Sequence, residues 1–500
     1  MKRQFAKNLG SNWAVYFASA LISFFLTPYI IGQLGQASYG VWILVGSFSG
    51  YLGIFDFGIG YAVVRFVARY QKTGEPHKRN EIIATSFYTA GLLSVIVIAA
   101  TVFIAWNAAG FFDIPPELAG QSKIVILLVG ISIAAAFPMG VFSEALSGGL
   151  WRFDLFNLVS LTISLFQAVL TITLLEAGMG LPGLGISVLL GSAIGYIWRM
   201  RMLYKLLPDL SISPSLVNFP VLRKIGNYSF FSFILVLSGR IAFYSDSFIV
   251  GIFQGIEEVA IFGIAVKLTE YLRQLIFTVT KLFTPVVSRY DPDTDKASLR
   301  RIFYDGSRLN LLVSMPLSAM LFFWGGNLIE VWIGPDFSYA KTILQVLLVG
   351  HILAFTQAIG GEVLIGVGRH HRFAIISMIS GIVNIVLSII LVKKLGLIGV
   401  AWGTTIPLSI ISVGYLPFAA IRLIEGKFSE FICRAVIPAL LSSLAPVILI
   451  YLTKDMTASF GGLIVWGSIV FIIYLCSAYL LGLRFEERGK IKGLLLRIFR

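Results

Sequence analysis

Long apolar stretches separated by short polar connections run through almost the whole chain. Fourteen of them reach about 20 residues, the length that a helix needs to cross roughly 30 Å of hydrocarbon. The predicted spans are 11–31, 38–62, 82–107, 124–147, 155–176, 183–203, 227–252, 259–285, 308–325, 343–366, 374–394, 399–421, 434–453 and 462–483. This pattern predicts an all-α polytopic membrane protein with about fourteen transmembrane helices.

The composition excludes a soluble fold. Of the 500 residues, 57% are hydrophobic and only 13% are charged, whereas about 25% of residues are charged in soluble domains. The mean hydropathy is +0.88. Only two cysteines occur, Cys433 and Cys476, both in apolar surroundings. They exclude a disulfide scaffold and a cysteine-based metal site.

The positive charge is distributed unevenly between the two sides of the predicted membrane. The chain has 39 Lys and Arg against 25 Asp and Glu, a formal charge of +14. Thirty of the basic residues fall in connections on one side and five on the other. By the positive-inside rule both termini lie in the cytoplasm, and the protein is a multi-pass protein of the cytoplasmic membrane. Most of the basic surplus is therefore topology, and it gives no support to nucleic-acid binding.

Two halves of the chain resemble each other at a spacing near 220 residues. Ala68-Arg69-Tyr70 ends the second span as Ser288-Arg289-Tyr290 ends the eighth, 220 residues later, and Glu144 precedes Glu362 by 218. Six spans per half is an even number, so the two copies share one orientation in the membrane. The repeat predicts two pseudo-symmetric six-helix lobes with a substrate path between them.

The predicted lobes divide the chain into three parts. The N-lobe comprises residues 1–213, the C-lobe residues 214–425, and the last two spans follow in residues 426–500 with a cytoplasmic tail. In the tail, Ile491, Leu494, Leu495 and Ile498 share one helical face among basic residues. This spacing predicts an amphipathic helix on the inner leaflet.

Four basic residues fall inside the hydrophobic spans, where a charge costs about 2.5–3.5 kcal/mol unless it faces water or a partner. They are Arg240, Lys267, Arg273 and Lys281. On the eighth span a polar stripe within roughly 100° of a helical wheel carries several side chains. These are Lys267, Glu270, Tyr271, Gln274, Thr278 and Lys281, with Arg273 lying off the stripe. On the seventh span Arg240 and Tyr244 share one face.

The interior cations have two interpretations. They form structural ion pairs with the nearby acids Asp246 and Glu270, or their surplus over these acids binds an anionic ligand. Arginine in particular makes bidentate contacts with phosphate and carboxylate groups. The second interpretation predicts a substrate-binding group, which consists of Arg240, Lys267, Arg273, Lys281, Tyr244 and Gln274.

Carboxylates within the spans are candidates for ion coupling. Glu144 and Glu362 recur at equivalent positions of the two halves, and a coupling proton or sodium ion needs such a group. Asp246 and Glu270 join them as candidates. The alternative for the first two acids is a structural pair with Arg152 or Arg369, and Asp56 is expected to pair with Arg65.

Motifs for catalysis and cofactor binding do not support an enzyme. Neither a Walker A lysine motif nor H-E-x-x-H occurs. The sequence 178–183 spells G-x-G-x-x-G, but it follows a membrane span rather than a strand and is interpreted as a turn. We therefore expect no catalytic residue, no bound metal and no cofactor apart from a coupling proton or sodium ion.

The opening of the chain resembles a known family. The resemblance is carried by Asn8, Pro28, Leu34-Gly35-Gln36-Ala37-Ser38-Tyr39-Gly40, Phe55-Asp56-Phe57-Gly58-Ile59-Gly60 and Arg65-Phe66-Val67-Ala68. These residues look like the start of the polysaccharide transporters, the O-antigen-type flippases of the multidrug/oligosaccharidyl-lipid/polysaccharide exporter superfamily. The similarity covers residues 1–425, more diffusely beyond the opening.

The resemblance implies movement of an undecaprenyl-diphosphate-linked oligosaccharide from the inner to the outer leaflet by alternating access between two lobes. The cationic cavities of the family make Arg240, Lys267, Arg273 and Lys281 candidate ligands for the diphosphate or for acidic sugars. The expected partners are the lipid-linked oligosaccharide, the bilayer and the polysaccharide polymerase machinery, with the protein acting as a monomer.

Four alternatives stay open. Fourteen helices resemble the lipid II flippases, whereas simpler polysaccharide transporters have twelve. A multidrug or cation antiporter of the same fold would have a cavity with net acidic charge, whereas the surplus of interior charge in this sequence is basic. A polymerase or ligase would need a sizeable outer loop, and the longest outer connections, 108–123 and 326–341, are near 16 residues. A scaffold without transport would leave the interior charges unexplained.

Overall fold

A computed structural model describes residues 2–369, 371–484 and 487–489. For residues 2–9 and for twelve positions between 227 and 243 it describes the backbone alone. Over this part of the chain the regular structure is entirely helical. The chain divides into two compact units, Met1–Ala260 and Ile261–Arg500. Because the predicted lobes are defined by a repeat and not by compactness, the boundary at 213/214 stays a prediction.

Unit 1 contains seven α-helices and the start of an eighth. They are α1 (Lys2–Leu52), α2 (Ile59–Thr73), α3 (Pro76–Phe111), α4 (Pro116–Glu144), α5 (Phe153–Glu176), α6 (Gly180–Leu206), α7 (Phe219–Phe253) and α8 (Ile256–Thr280), which continues into unit 2. Short 3-10 turns cover Gly53–Asp56 and Pro214–Leu216, and α4 continues into a π-helical turn, Ala145–Gly149.

The α-helices of unit 2 follow in chain order. They are α9 (Thr284–Val287), α10 (Lys296–Trp332), α11 (Ala340–Gly366), α12 (His371–Leu395), α13 (Leu397–Ile410), α14 (Leu416–Leu423), α15 (Phe428–Phe431), α16 (Ile437–Leu452) and α17 (Phe460–Ser477). The π-helical turns Ile411–Tyr415 and Ile432–Val436 join α13 to α14 and α15 to α16, and Ala478–Gly482 extends α17. The 3-10 turns are Pro335–Phe337 and Lys454–Met456.

The fold class predicted from the apolar pattern is confirmed. Among the described residues, eleven helices are long and apolar enough to cross a membrane. The first of them, Gly10–Asp56, includes one predicted span and most of the next. The predicted spans 227–252 and 259–285 coincide with α7 and α8, which have 35 and 25 residues. The protein is a polytopic membrane protein.

The helices differ from the predicted spans where the backbone bends. Gly35, with φ 77° and ψ 170°, interrupts the helical geometry between the first two predicted spans while the hydrogen-bonded helix continues. The second predicted span is broken between α1 and α2, and the eighth between α8 and α9. These breaks consist largely of apolar residues, so the hydropathy of a window of about 20 residues does not reveal them.

The core of unit 1 lies between α2, α3, α4 and α6. Buried side chains of α2, among them Val63 and Val67, pack with Ile83 of α3 and with Phe142 and Leu146 at the end of α4. Helix α4 contacts both α3 and α6 along much of its length, and α5 packs on α6 and α1. Helix α2 and the C-terminal end of α4 are therefore held together tightly.

The last two spans pack against α10 in unit 2. Trp324 of α10 donates a hydrogen bond of 2.8 Å to the carbonyl oxygen of Ile450. The Tyr474 hydroxyl of α17 donates to the carbonyl oxygen of Leu312. Many other side chains of α17, such as Ile464 and Phe471, are exposed. The predicted amphipathic tail helix around Ile491–Ile498 lies outside the described residues.

Candidate functional site

A cavity of about 330 Å³ lies in unit 1 beside the break between α1 and α2. Its lining contains two acids, Asp56 and Glu144, one basic residue, Arg240, and the phenol ring of Tyr61. The break contributes Asp56, α4 contributes Glu144 and α7 contributes Arg240. Charged groups from three distant parts of the sequence therefore meet in one space within the membrane-spanning part of the fold.

The break itself places the carboxylate of Asp56. Phe57 and Gly58 both adopt left-handed backbone conformations, with φ 49° and 75°. This double reversal turns the chain so that the Asp56 carboxylate lies near the backbone N–H groups of Gly58 and Gly60 at the start of α2. An acid at a helix N-terminus is stabilised by the helix dipole. The break thus places Asp56 at the N-terminus of α2.

The guanidinium of Arg240 is fixed by α1. It donates a hydrogen bond to the carbonyl oxygen of Gly50. A Cβ atom at Gly53 would lie 2.6 Å from the Nη1 atom of Arg240, so a larger residue there would force the guanidinium to move. Arg240 is near enough to Asp56 for their charges to attract. The backbone of α1 and the Asp56 carboxylate together neutralise part of the arginine's charge.

Glu144 faces the same cavity from α4, close to the start of α2. A Cβ at Gly60 would lie 3.2 Å from Cγ of Glu144, so this glycine permits the close approach. Glu144 and Asp56 are near enough to repel one another when both are ionised. The alternative partner predicted for Glu144, Arg152, instead binds Asp154 with two hydrogen bonds of 3.0 and 3.2 Å.

Two other predicted residues of α7 lie outside the described lining of this cavity. The ring of Tyr244 packs against Gly50, where a Cβ would come within 2.3 Å of it, and lies 6.2 Å from the ring of Tyr51. Asp246 is buried, 5% exposed, and interacts electrostatically with Tyr51. Of the predicted residues on α7, the structure brings only Arg240 into the described cavity lining.

In unit 2 the stripe on α8 contains a structural ion pair. Arg273 binds Glu270 through two hydrogen bonds of 2.5 and 2.6 Å. Gln274 donates to the same carboxylate at 2.7 Å. The side chain of Arg273 therefore reaches back to the stripe, and it also lies near His351 of α11. For Glu270 the structure supports the ion-pair interpretation, and its role in ion coupling stays a prediction.

The other two predicted cations of α8 occupy different environments. Lys267 is half-buried, whereas Lys281 is exposed in the turn between α8 and α9. Arg240 belongs to unit 1, while Lys267, Arg273 and Lys281 belong to unit 2. That all four cations act on one ligand stays a prediction.

Glu362 occupies in unit 2 the position that the repeat assigns to Glu144. It is 6% exposed and accepts a hydrogen bond from the Thr284 hydroxyl, just after the break between α8 and α9. Its predicted alternative partner, Arg369, binds Asp293 at 2.8 and 2.9 Å. In each unit, then, an acid at the equivalent position of the repeat lies beside a broken helix.

Asp56 is the residue of this site that the sequence interpretation missed. It was expected to pair with Arg65, but it lies in the cavity with Arg240 and Glu144. The sequence around it, Phe55-Asp56-Phe57-Gly58-Ile59-Gly60, carries a signal that could have identified it. Two glycines that follow an acid by two and four residues, within an apolar span, are typical of a helix break with an exposed helix N-terminus.

Most of the chain matches a known protein family. Residues 33–342 match the family described as "Polysaccharide biosynthesis protein". The chain belongs to this family. This result confirms the family resemblance found at the beginning of the chain.

Individual relatives and solved structures agree with this assignment. The chain is 21% identical to the "Putative O-antigen transporter" of Shigella flexneri, over 79% of this chain and 93% of that protein. It is 23% identical to the "Probable flippase AglR" of Haloferax volcanii, over 86% and 87%. The solved structure "Lipid II flippase MurJ, inward closed conformation" superposes with a TM-score of 0.74 at 17% identity, over 94% of this chain and 97% of that one.

Proposed function

We propose that this polysaccharide biosynthesis protein is a flippase for a polyprenyl-diphosphate-linked oligosaccharide. It moves this lipid from the inner to the outer leaflet of the cytoplasmic membrane by alternating access, with both termini in the cytoplasm. The names of its relatives, an O-antigen transporter and a flippase, favour transport over catalysis. The asymmetry of thirty basic residues against five supports the orientation.

The observation that carries the proposal is the placement of Arg240. Its guanidinium is held in a membrane cavity by a backbone carbonyl, and Gly53 provides the space for it. A fixed guanidinium binds a diphosphate without first having to be ordered, and in a site of low dielectric this contact is strong. Arg240 thus has the chemistry needed to bind the anionic headgroup while the polyprenyl chain stays in lipid.

The two carboxylates beside Arg240 give a mechanism for ion coupling. Asp56, Glu144 and Arg240 carry a net charge of minus one when all are ionised, so the site attracts a proton or a sodium ion. A cation bound at Glu144 or Asp56 weakens the hold of these acids on Arg240. The guanidinium is then available to the diphosphate. Substrate and coupling cation therefore bind cooperatively, and neither needs another cofactor.

The same charge count favours a second candidate function. Two carboxylates against one guanidinium make a cavity of net acidic charge, which also suits a cationic drug in an antiporter of this fold. For a cationic substrate, Arg240 would oppose binding instead of assisting it. Removal of Arg240 therefore has opposite effects under the two functions, which separates them.

The experiment uses full-length protein reconstituted into vesicles with a polyprenyl-diphosphate oligosaccharide labelled on its sugar. Its transfer to the outer leaflet is followed by an impermeant quencher under a proton or sodium gradient. We expect Arg240→Gln to abolish transfer with normal insertion, while Arg223→Gln, which changes an exposed arginine of the same unit, leaves it unchanged. Unchanged transfer in Arg240→Gln would refute the proposal.

Parallel assays with lipid II and with a cationic dye identify the substrate class. Preferred transfer of lipid II would assign the protein to cell-wall precursors rather than to surface polysaccharide. If Arg240→Gln exports the dye faster than the wild type does, the result would favour the antiporter.

A further inference from the structure

A second and larger cavity, of about 870 Å³, lies within unit 2. It is formed where α10 and α12 begin and where α11 and α14 end. Its lining contains four basic side chains, Lys296, Arg369, Arg372 and Arg422, against two acids, Asp293 and Glu425. None of these six residues belongs to the substrate-binding or ion-coupling groups considered above.

Two of the basic side chains are already bound to the two acids. Arg369 binds Asp293 at 2.8 Å, and Lys296 binds Glu425. Arg372 and Arg422 are exposed. Over the described part of the chain, neither of their side chains makes a hydrogen bond or an ion pair. The cavity therefore keeps a net charge of plus two, carried by two guanidinium groups on different helices. Two such groups suit a phosphate or diphosphate group.

An exposed apolar stripe runs along α12 from the arginine that lines the cavity. Five apolar side chains spaced three or four residues apart form one stripe along the helix, each between 46% and 54% exposed. They are Ile375, Ile379, Ile382, Val386 and Ile390. Arg372 lies three residues before the first of them, so it continues the same face at its end. In a membrane protein such a stripe is solvated by hydrocarbon chains.

The segment from α13 to α14 has a similar arrangement, but here the apolar side chains come before the arginine in the chain. Ile410, Val413 and Phe418 are exposed between α13 and α14, and Arg422 comes four residues after Phe418. The ring of Phe418 stacks on the exposed ring of Phe428, with centroids 5.8 Å apart. Apolar side chains followed by an aromatic pair and an arginine are typical of the membrane–water interface. The start of α12 and the end of α14 thus each place an arginine at the cavity.

We propose that this cavity binds the phosphate headgroup of a membrane lipid, with Arg372 and Arg422 as its ligands and the lipid chain along the stripe of α12. A soluble phosphate would match the charge of the cavity, but only a lipid would also use the exposed apolar stripe that leads into the cavity. The proposal rests on the geometry of unit 2 and holds whether or not the protein is a flippase. By the predicted topology the headgroup belongs to the cytoplasmic leaflet.

The test measures lipid binding to the purified full-length protein by native mass spectrometry. The probes are phosphatidylglycerol, undecaprenyl diphosphate, phosphatidylcholine and inorganic diphosphate. We expect the two anionic lipids to bind the wild type better than phosphatidylcholine. The double variant Arg372→Gln with Arg422→Gln should bind them about tenfold more weakly, because each basic side chain near a membrane surface contributes to anionic-lipid affinity.

A matched double variant, Arg201→Gln with Arg223→Gln, removes the same charge from exposed positions of unit 1 and should bind as the wild type does. Arg372→Lys with Arg422→Lys keeps the charge and should retain most of the binding, which guards against loss through misfolding. An equal loss in both Gln variants would overturn the proposal, as would unchanged binding in Arg372→Gln with Arg422→Gln.

The probes also identify the source of the phosphate. Stronger retention of undecaprenyl diphosphate would assign the cavity to the lipid class of the proposed substrate, and stronger retention of phosphatidylglycerol to a bilayer phospholipid. Either result supports a lipid site. Inorganic diphosphate that binds as tightly as the lipids would show that the hydrocarbon chain contributes nothing, which would refute it.

Discussion

At the scale of single residues, glycines decide which charges can meet in unit 1. Gly53 makes room for the Arg240 guanidinium, and Gly60 lets Glu144 approach the start of α2. The sequence identified Arg240 and Glu144 because charges in apolar spans are conspicuous. It could not assign their partners, because Arg240 and Asp56 are 184 positions apart in the chain. Asp246, nearer in sequence, was therefore the expected counter-ion.

The role of Gly53 gives a first prediction. Gly53→Ala places a methyl group against the Nη1 atom of Arg240 and should displace the guanidinium from Gly50 and Asp56. Because displacing a binding group by about 1 Å can cost 100-fold in rate, we expect transfer of the labelled lipid to fall at least about tenfold. The matched control is Gly46→Ala in α1, just before the turn that contains Gly53, because its added methyl group meets nothing within 4 Å. Similar rates in both variants would show that the position of Arg240 is irrelevant.

The acids beside Arg240 give a second prediction. Glu144→Gln removes one carboxylate without changing the shape of the cavity. The variant should bind the diphospholipid as well as or better than the wild type, but its transfer should no longer respond to the proton or sodium gradient. Glu117→Gln changes an exposed acid in the first turn of the same helix and should keep the full response. A gradient response retained in Glu144→Gln would exclude Glu144 as the coupling group.

At the scale of elements, the hydrophobic pattern predicted where helices lie but not where they break. Each of the fourteen predicted spans coincides with helix, yet the second and the eighth are interrupted. Residues Phe57 and Gly58 carry the first break through backbone conformations, and an apolar residue such as Phe57 contributes to the mean hydropathy as it would in a helix. Both breaks lie beside an acid of the repeat, Glu144 in unit 1 and Glu362 in unit 2.

The left-handed turn at the break between α1 and α2 gives a third prediction, which concerns the stability of the protein. Gly58 has φ 75°, and a Cβ there would lie 3.1 Å from the carbonyl oxygen of Ser229 on α7. Its own carbonyl oxygen accepts a hydrogen bond of 3.0 Å from the Ser229 hydroxyl. We expect Gly58→Ala to lower the free energy of unfolding by about 1–2 kcal/mol, the cost of a left-handed alanine, measured as a lower melting temperature in detergent.

Gly91→Ala provides the comparison for this measurement. Gly91 lies within α3, and an added methyl group meets nothing within 4 Å. The substitution should leave the melting temperature unchanged or raise it slightly, since alanine favours helix more than glycine does. Equal melting temperatures for the two variants would mean that the left-handed turn at Gly58 does not contribute to stability.

At the scale of the whole molecule, family and fold class were accessible from sequence because both depend on features local to the chain. The apolar spans gave an all-helical membrane protein, and the residues between Asn8 and Ala68 gave the family that the match over residues 33–342 confirms. The substrate-binding group was less accessible. It depends on contacts between helices, and the Arg273–Glu270 pair shows that a charge on a polar stripe can bind its own helix.

Orientation in the membrane is the last prediction, and the two native cysteines make it testable. With Cys433 and Cys476 replaced by alanine, single cysteines introduced at exposed positions report the side of the membrane on which each lies. The positive-inside rule predicts that an impermeant maleimide labels Asp336→Cys and Asp455→Cys in intact cells, but Lys72→Cys and Ser288→Cys only after permeabilisation. The reverse pattern would place Arg372 and Arg422 in the outer leaflet, and the direction of lipid movement across the cavity of Arg240 would have to be reversed with it.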